Sequence, residues 1–306
     1  MKRYNNKILT GVFLALLGVF LLIKLFYSSK SKSNLSKEFA SLDTASISEV
    51  KIYLKGKESS ELRITRDETG WKIGTANSQA WAEPGVVQEL LISLNRVRID
   101  RLVASDKNSR NDLHVSDTLS THIIISGKET VMADWHVGNP PNGGSAYIRS
   151  DEEEKVYMLE NNHLNSLASK SFDDWRDKRL IKFDRDKIAK IVFAYPADSS
   201  FTLVKNDSTW RMGHNEIRSS LIDNYLNNIY SQKIFSFATD SLSINPPDAT
   251  LEFWAQNNLV GTIKGWQHNA NWIVTSSYQF TNYFFITEST MRNEILLSRE
   301  RLKNNQ

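Results

Sequence analysis

The stretch Asp43, Ile47, Val50, Ile52, Leu62, Ile64 and Trp71-Lys72-Ile73-Gly74 decides the fold, because the chain spells it twice. The second version runs Asp184, Ile188, Ile191, Phe193, Phe201, Leu203 and Trp210-Arg211-Met212-Gly213. Each is an aspartate, two short strands with alternating apolar residues, a polar turn and a tryptophan. A period of two marks half-buried strands, and the polar turn between them marks a hairpin.

Working outward, the likeness continues. Pro84 stands where a first helical turn tolerates it, followed by Val86, Leu90, Leu91, Leu94 and Val97 at the spacing of an amphipathic helix. Leu221, Ile222, Leu226 and Ile229 follow the second hairpin in the same way. Strands are expected near 99–104, 122–125 and 131–137, the last two joined at Gly127. Their echoes lie at 251–254 and 259–263. A further hairpin at 146–149 and 156–159 crosses the acidic tip Asp151-Glu152-Glu153-Glu154, and its echo lies at 272–275 and 283–286. Helices are expected near 162–168 and 291–302. The offset between copies falls from 141 at the aspartates to 139 at the tryptophans and 126 in the last strands. A steady decrease is what one duplicated unit with shorter second-copy loops produces.

At the N-terminus, Ile8 to Ile23 is an uninterrupted apolar or small run, extended through Lys24 to Tyr27. As a helix this reaches about 30 Å, the thickness of a hydrocarbon core. The expected organisation is a cytoplasmic head at 1–7, a transmembrane signal anchor at 8–27 and a Ser/Lys-rich tether at 28–42. A first repeat unit at 43–180 and a second at 181–306 follow. A cleaved signal peptide is the rival reading of 8–27. The expected fold class is α+β: an N-terminal transmembrane helix, then two tandem units. Each unit has mainly antiparallel strands, one amphipathic helix and a terminal helix.

Composition excludes several functions. The chain has 38 basic and 35 acidic residues, but residues 1–40 hold seven of the basic and one of the acidic ones. The body is therefore slightly acidic and lacks the basic surplus of a nucleic-acid binder. There is no cysteine, which removes disulfides, thiolate nucleophiles and cysteine-ligated metals. Phosphate-loop, dinucleotide and nucleophile-elbow motifs are absent from the sequence. The Gly138 to Ser145 stretch is rich in glycine and proline and reads as a wide turn. Six histidines are scattered, at 114, 122, 136, 163, 214 and 268. His122 and His136 flank the Gly127 turn and approach each other across one hairpin, without a third ligand in the local sequence. No catalytic residue, cofactor or metal site is therefore expected. The acidic tip at 151–154 reads as solvated.

The segment Asp173-Asp174-Trp175-Arg176-Asp177-Lys178-Arg179 joins the copies. Trp175 is expected to pack into the junction, with Arg176 and Arg179 pairing neighbouring acids. The alternative is that Asp173, Asp174 or Asp177 serve as acid and base of an envelope-polymer hydrolase. Trp135, Tyr147, Trp254, Trp266 and Trp272 are aromatic candidates for an interface.

The order of these features resembles the bacterial envelope proteins grouped as domain of unknown function 4340. The resemblance rests on the N-terminal apolar run and the hairpin from Asp43 to Trp71. It continues through the helix around Val86 to Val97, Asp112-Leu113, Val137-Gly138, Tyr147-Ile148-Arg149, Val156-Tyr157 and Trp175-Arg176-Asp177-Lys178. Asp112 stands where the pattern has glycine, and the second copy lacks the Tyr-x-Arg strand. The resemblance implies a periplasmic protein anchored in the inner membrane and associated with gliding-motility-type ABC transporter components. It brings no catalytic residues. The functional expectation is a non-catalytic, membrane-anchored binding or scaffold protein whose partners are other envelope proteins, with an ABC transporter accessory role as its specific form. A purely structural spacer is the remaining alternative.

Overall fold

The computed structural model describes residues 11, 13, 15–20, 37–55, 61–138, 146–161, 163–238, 246–279 and 283–303. The described residues of the first half form strands β1 (Glu38–Ala40), β2 (Glu49–Tyr53), β3 (Glu61–Asp67), β4 (Gly70–Gly74) and β5 (Gln79–Trp81). After the helix Pro84–Asn95 come β6 (Val97–Ala104), β7 (Thr121–Ser126), β8 (Val131–Gly138), β9 (Tyr147–Ser150) and β10 (Val156–Leu159). The second half contributes β11 (Ile188–Ala194), β12 (Phe201–Asn206), β13 (Thr209–Met212) and β14 (Asn215–Ile217). After the helix Ser219–Ser231 follow β15 (Ser236–Phe237), β16 (Ala249–Ala255), β17 (Asn258–His268), β18 (Asn271–Ser276) and β19 (Phe284–Thr287).

The strands make two sheets in which every pairing is antiparallel. The first has the order β1-β6-β10-β9-β8-β7-β2-β3-β4-β5, and the second β15-β19-β18-β17-β16-β11-β12-β13-β14. Raising each label of the first sheet by nine, β1 excepted, gives the second. In both, the long helix follows the fourth strand of a meander and returns the chain to the opposite edge. Each sheet has its own core, one centred on Ile52, Ile64, Leu90 and Ile123, the other on Phe193, Leu203, Leu226 and Phe253. The first helix buries Val87, Leu90 and Leu94, and the second Ile222, Tyr225, Leu226 and Ile229. Full burial of an aliphatic side chain of this kind contributes roughly 1.5–3 kcal/mol.

The expected fold class needs correction. The described protein is mostly two large antiparallel sheets with few helices, where an N-terminal transmembrane helix and two α+β units, each closing on a terminal helix, were expected. Segment 38–40, inside the expected tether, and segment 79–81 are edge strands. The expected terminal helix is broken into the turns Glu288–Thr290, Met291–Ile295 and Arg299–Lys303. Its helical spacing does bury Met291, Ile295 and Leu302, but Leu297 must turn inward too. Carbonyls released by the break are taken by side chains: Tyr225 Oη donates to Ile295 O at 2.8 Å and Tyr195 Oη to Leu297 O at 2.9 Å.

The transmembrane helix is likewise not an element of the described fold. No helix among the described residues is long and apolar enough to cross a membrane. Of the 8–27 stretch, only residues 11, 13 and 15–20 are described, and the head at 1–7 lies outside the described residues. So does most of the wide turn, at 139–145.

Candidate functional site: a histidine–carboxylate cluster under a clamped loop

Alternation along β7 and β8 sends Ile123, Ile125, Trp135 and Val137 into the core. His122, Asp134 and His136 therefore stand on the outer face, where Arg149 of β9 joins them opposite His136. An outer-face arginine is normally solvated, yet Arg149 is fully buried. The cover is the connection between β6 and β7, which includes the short helix Ser109–Asp112. Arg149 Nε donates to Val115 O at 2.7 Å, and its other end bonds Asp117 in the same connection. Gly138 admits the loop from the side: a Cβ there would lie 2.2 Å from His114 O and 2.8 Å from Leu113 O. Leu113, Gly138 and Arg149, far apart in the chain and each belonging to a different motif, thus meet at one clamp.

Beneath the clamp lies a cleft of about 400 Å³ lined by Tyr53, Asp117, Ser120, His122, His136 and Asp151. His136 is its centre. Its Nδ1 lies 2.8 Å from Ser120 Oγ, and its Nε2 lies 3.0 Å from Asp151 Oδ1 and 3.9 Å from Asp117 Oδ1. His122 stacks on it, centroids 4.4 Å apart and planes 3° from parallel, while His122 Nε2 lies 2.6 Å from Asp134 Oδ1. Burial, reinforced by neighbouring Arg149 and His122, pulls the His136 imidazole below its ordinary value. Desolvation works against the Asp151 carboxylate, but hydrogen bonds from His136 and Arg149 hold it below the ordinary carboxylate value. Tyr53, stacked on His122, is pushed up to about 12 by burial and its bond to Glu61. A larger cleft of about 750 Å³ beside Ile47, Arg66 and Lys128 gathers mixed surface charge without comparable convergence.

Ser120, His136 and Asp151 are connected in the order of a nucleophilic triad. Ser120 is only 3% exposed, however, behind the ring. Its hydroxyl orients the imidazole rather than facing a substrate.

The junction carboxylates are already committed. Asp173 pairs with Arg176 and Lys178, and Asp174 closes a capping box with Ser171. Asp177 is fully buried; its carboxylate accepts from Arg179 Nε at 2.9 and 3.0 Å and from Tyr278 Oη at 2.6 Å. Those bonds outweigh desolvation and hold it below its ordinary value. The linker backbone bonds both halves: Asp177 N donates to Trp81 O, Leu180 N to Gln232 O, and Ile234 N to Lys178 O. Trp81 Nε1 reaches across to Tyr278 O at 3.0 Å. Arg176 lies at the centre, 4.0 Å from the Phe237 ring and 5.5 Å from the neighbouring Phe284 ring, with Nη2 on Ile234 O at 3.1 Å.

Of the aromatic candidates, Trp135 and Trp272 are core residues. Tyr147, Trp254 and Trp266 are half-buried. Trp254 lies beneath Lys190 at 3.8 Å, and Trp266 meets Tyr283 edge-on at 6.0 Å. The opening aspartates shape turns: Asp43 accepts from Ser46 and Ala45, and Asp184 pairs with Lys187. Sequence reasoning brought His122 and His136 together but missed Asp117, Asp134 and Asp151. Asp134 follows from the hairpin register; Asp117 and Asp151 reach His136 through tertiary contacts only.

These features define a tandem antiparallel-sheet protein, its halves locked through a charged junction and its polar cluster confined to the first half. The chain belongs to the family described as Domain of unknown function (DUF4340), whose model matches residues 82–250. That span contains the clamp, the histidine–carboxylate cluster and the junction. No curated protein and no solved structure matches the chain.

Proposed function

We propose that the protein is a non-catalytic binding or scaffold protein of the cell envelope, attached to the cytoplasmic membrane with its bulk on the periplasmic side and serving as an accessory of an ABC-type transporter. The observation that carries the reading is the junction. Its charged side chains hold two sheets in a fixed relation instead of lining a reactive cleft, which suits a protein that presents surfaces. Half-buried outer-face aromatics such as Trp254 and Trp266 suit partner contact, since tryptophan and tyrosine dominate binding hot spots. The apolar run from Ile8 to Ile23 and the Ser/Lys-rich segment after it support the location. The hydrolase alternative loses its acid and base, because Asp173, Asp174 and Asp177 are each tied to a structural partner.

Two experiments test this. A reporter active only in the periplasm, fused after Gln306, is expected to be active; activity from a cytoplasmic reporter alone overturns the location. Crosslinking in native membranes followed by mass spectrometry is expected to recover transporter subunits. Their absence, with the protein present at normal levels, refutes the accessory role.

A further inference from the structure

Three separate elements converge on His136: Asp117 from the clamped connection, Asp151 from the end of β9 and Ser120 from behind the ring. Without an ion, His136 donates Nε2–H to Asp151 Oδ1; a bound cation takes the place of that proton, with Nδ1–H donating to Ser120 Oγ and the Nε2 lone pair turned to the metal beside two carboxylate oxygens. Donors at 3.0 and 3.9 Å bracket the separation of about 3.3 Å between ligands of a tetrahedral ion with bonds near 2.0–2.1 Å. One imidazole nitrogen with carboxylate oxygens is a donor set for divalent transition metals. A serine fixing the far ring nitrogen is an outer-shell support such ligands have, while Arg149 bonds the same Oδ1 atoms of Asp117 and Asp151 that a metal would share with it.

A second grouping, His122 with Asp134 and His136, is as compact. Ring orientation decides against it. Imidazole lone pairs lie in the ring planes, and these planes are 3° from parallel, so the two nitrogens do not converge on one point. His122 is further engaged by Asp134 at 2.6 Å.

The duplicated unit supplies an independent comparison. Pairing register sets His122 against Thr250, Asp134 against Thr262, His136 against Lys264 and Arg149 against Thr275. Ser150 corresponds to Ser276, which puts Ser277 at the place of Asp151. The second sheet is built with His122, Asp134, His136, Arg149 and Asp151 all replaced, so the sheet itself does not require them.

We propose that His136, Asp117 and Asp151 form a site for a divalent transition-metal ion of the zinc class on the outer face of the first unit. Asp117 and Asp151 have side chains 78% and 53% exposed, which leaves the remaining coordination positions open to water. The guanidinium beside the carboxylates offsets part of their charge, so the site is weaker than closed structural zinc sites.

The test is equilibrium dialysis of the full-length protein against Zn²⁺, with Co²⁺ visible spectra reporting geometry. One equivalent is expected, with the imidazole–carboxylate Co²⁺ spectrum. Asp151→Asn and Asp117→Asn, at exposed positions, are each expected to weaken binding by roughly tenfold or more, and His136→Gln to abolish it. Asp134→Asn is expected to leave binding unchanged. Circular dichroism and melting curves of the asparagine variants verify that they fold. Absence of saturable binding with a Kd tighter than about 1 mM overturns the proposal. So does binding indifferent to His136→Gln, or lost in Asp134→Asn but kept in Asp151→Asn. None of these outcomes bears on the transporter role.

Discussion

Replacing Arg176 by methionine tests whether the junction holds the two sheets together. Methionine keeps most of the aliphatic length while removing the guanidinium, whose side chain is fully buried. Three losses follow. The Ile234 carbonyl loses its donor at 3.1 Å, a buried orphan costing about 1–3 kcal/mol. The fully buried cation beside Phe237 and Phe284 is worth about 2 kcal/mol. The bond to Asp173 adds less than about 1 kcal/mol, because that carboxylate is 43% exposed and keeps Lys178. One term offsets these: Nη1 has no hydrogen-bond partner, and methionine removes that buried polar atom. The net expectation is a destabilisation of about 3–4 kcal/mol. Urea unfolding followed by tryptophan fluorescence reads it out, as a lower midpoint and a split into two transitions as the halves uncouple. A single transition within about 1 kcal/mol of the parent refutes the reasoning, for it means that the backbone bonds of 177–180 and 232–234 suffice.

Trp210 is fully buried whereas its counterpart Trp71 is only half-buried, so Trp210→Ala is expected to cost about 3–5 kcal/mol and Trp71→Ala about half that in chemical denaturation. Equal costs would contradict the burial difference. Gly138→Ala drives a methyl into the His114 carbonyl; a loss of about 1–3 kcal/mol is expected, with faster hydrogen exchange in the 109–120 connection as the clamp loosens. Unchanged exchange there would show the loop is held elsewhere. The Asp177 carboxylate, held below its ordinary 3.8 in the folded state, contributes stability that is present above that value and lost as pH falls through its folded value. Asp177→Asn is accordingly expected to be about 3 kcal/mol less stable at pH 7, with the gap to the parent closing below pH 4. A pH-independent gap would assign the effect to packing.

Much of this architecture is legible in one dimension. Alternation at Val50–Ile52 and Ile123–Ile125 settles both strand type and core face, because a period of two leaves one register that buries the apolar set. The duplication is legible because equivalent strands keep their order, and the hairpin around Gly127 brings His122 to His136 by local register alone. What is not legible depends on distance along the chain. The 291–302 segment has helical spacing, but Leu297 and the hydroxyls of Tyr195 and Tyr225 favour a broken path. Short edge strands such as 38–40 exist only because a distant strand pairs with them. Trp71 and Trp210 look interchangeable in sequence, yet only the second is fully buried.

By itself, then, the sequence determined the repeat, the meandering strands, the two long helices and the meeting of two histidines, since each follows from periodicity or a nearby turn. Only the tertiary structure decided that a loop would fold over the outer face of the first sheet, pinned by the absent side chain of Gly138 and by Arg149. It alone brought Asp117 and Asp151 to His136 and consumed the junction carboxylates in ion pairs and a helix cap. Those contacts join residues that no local periodicity links, and their formation waits on the sheet that positions them.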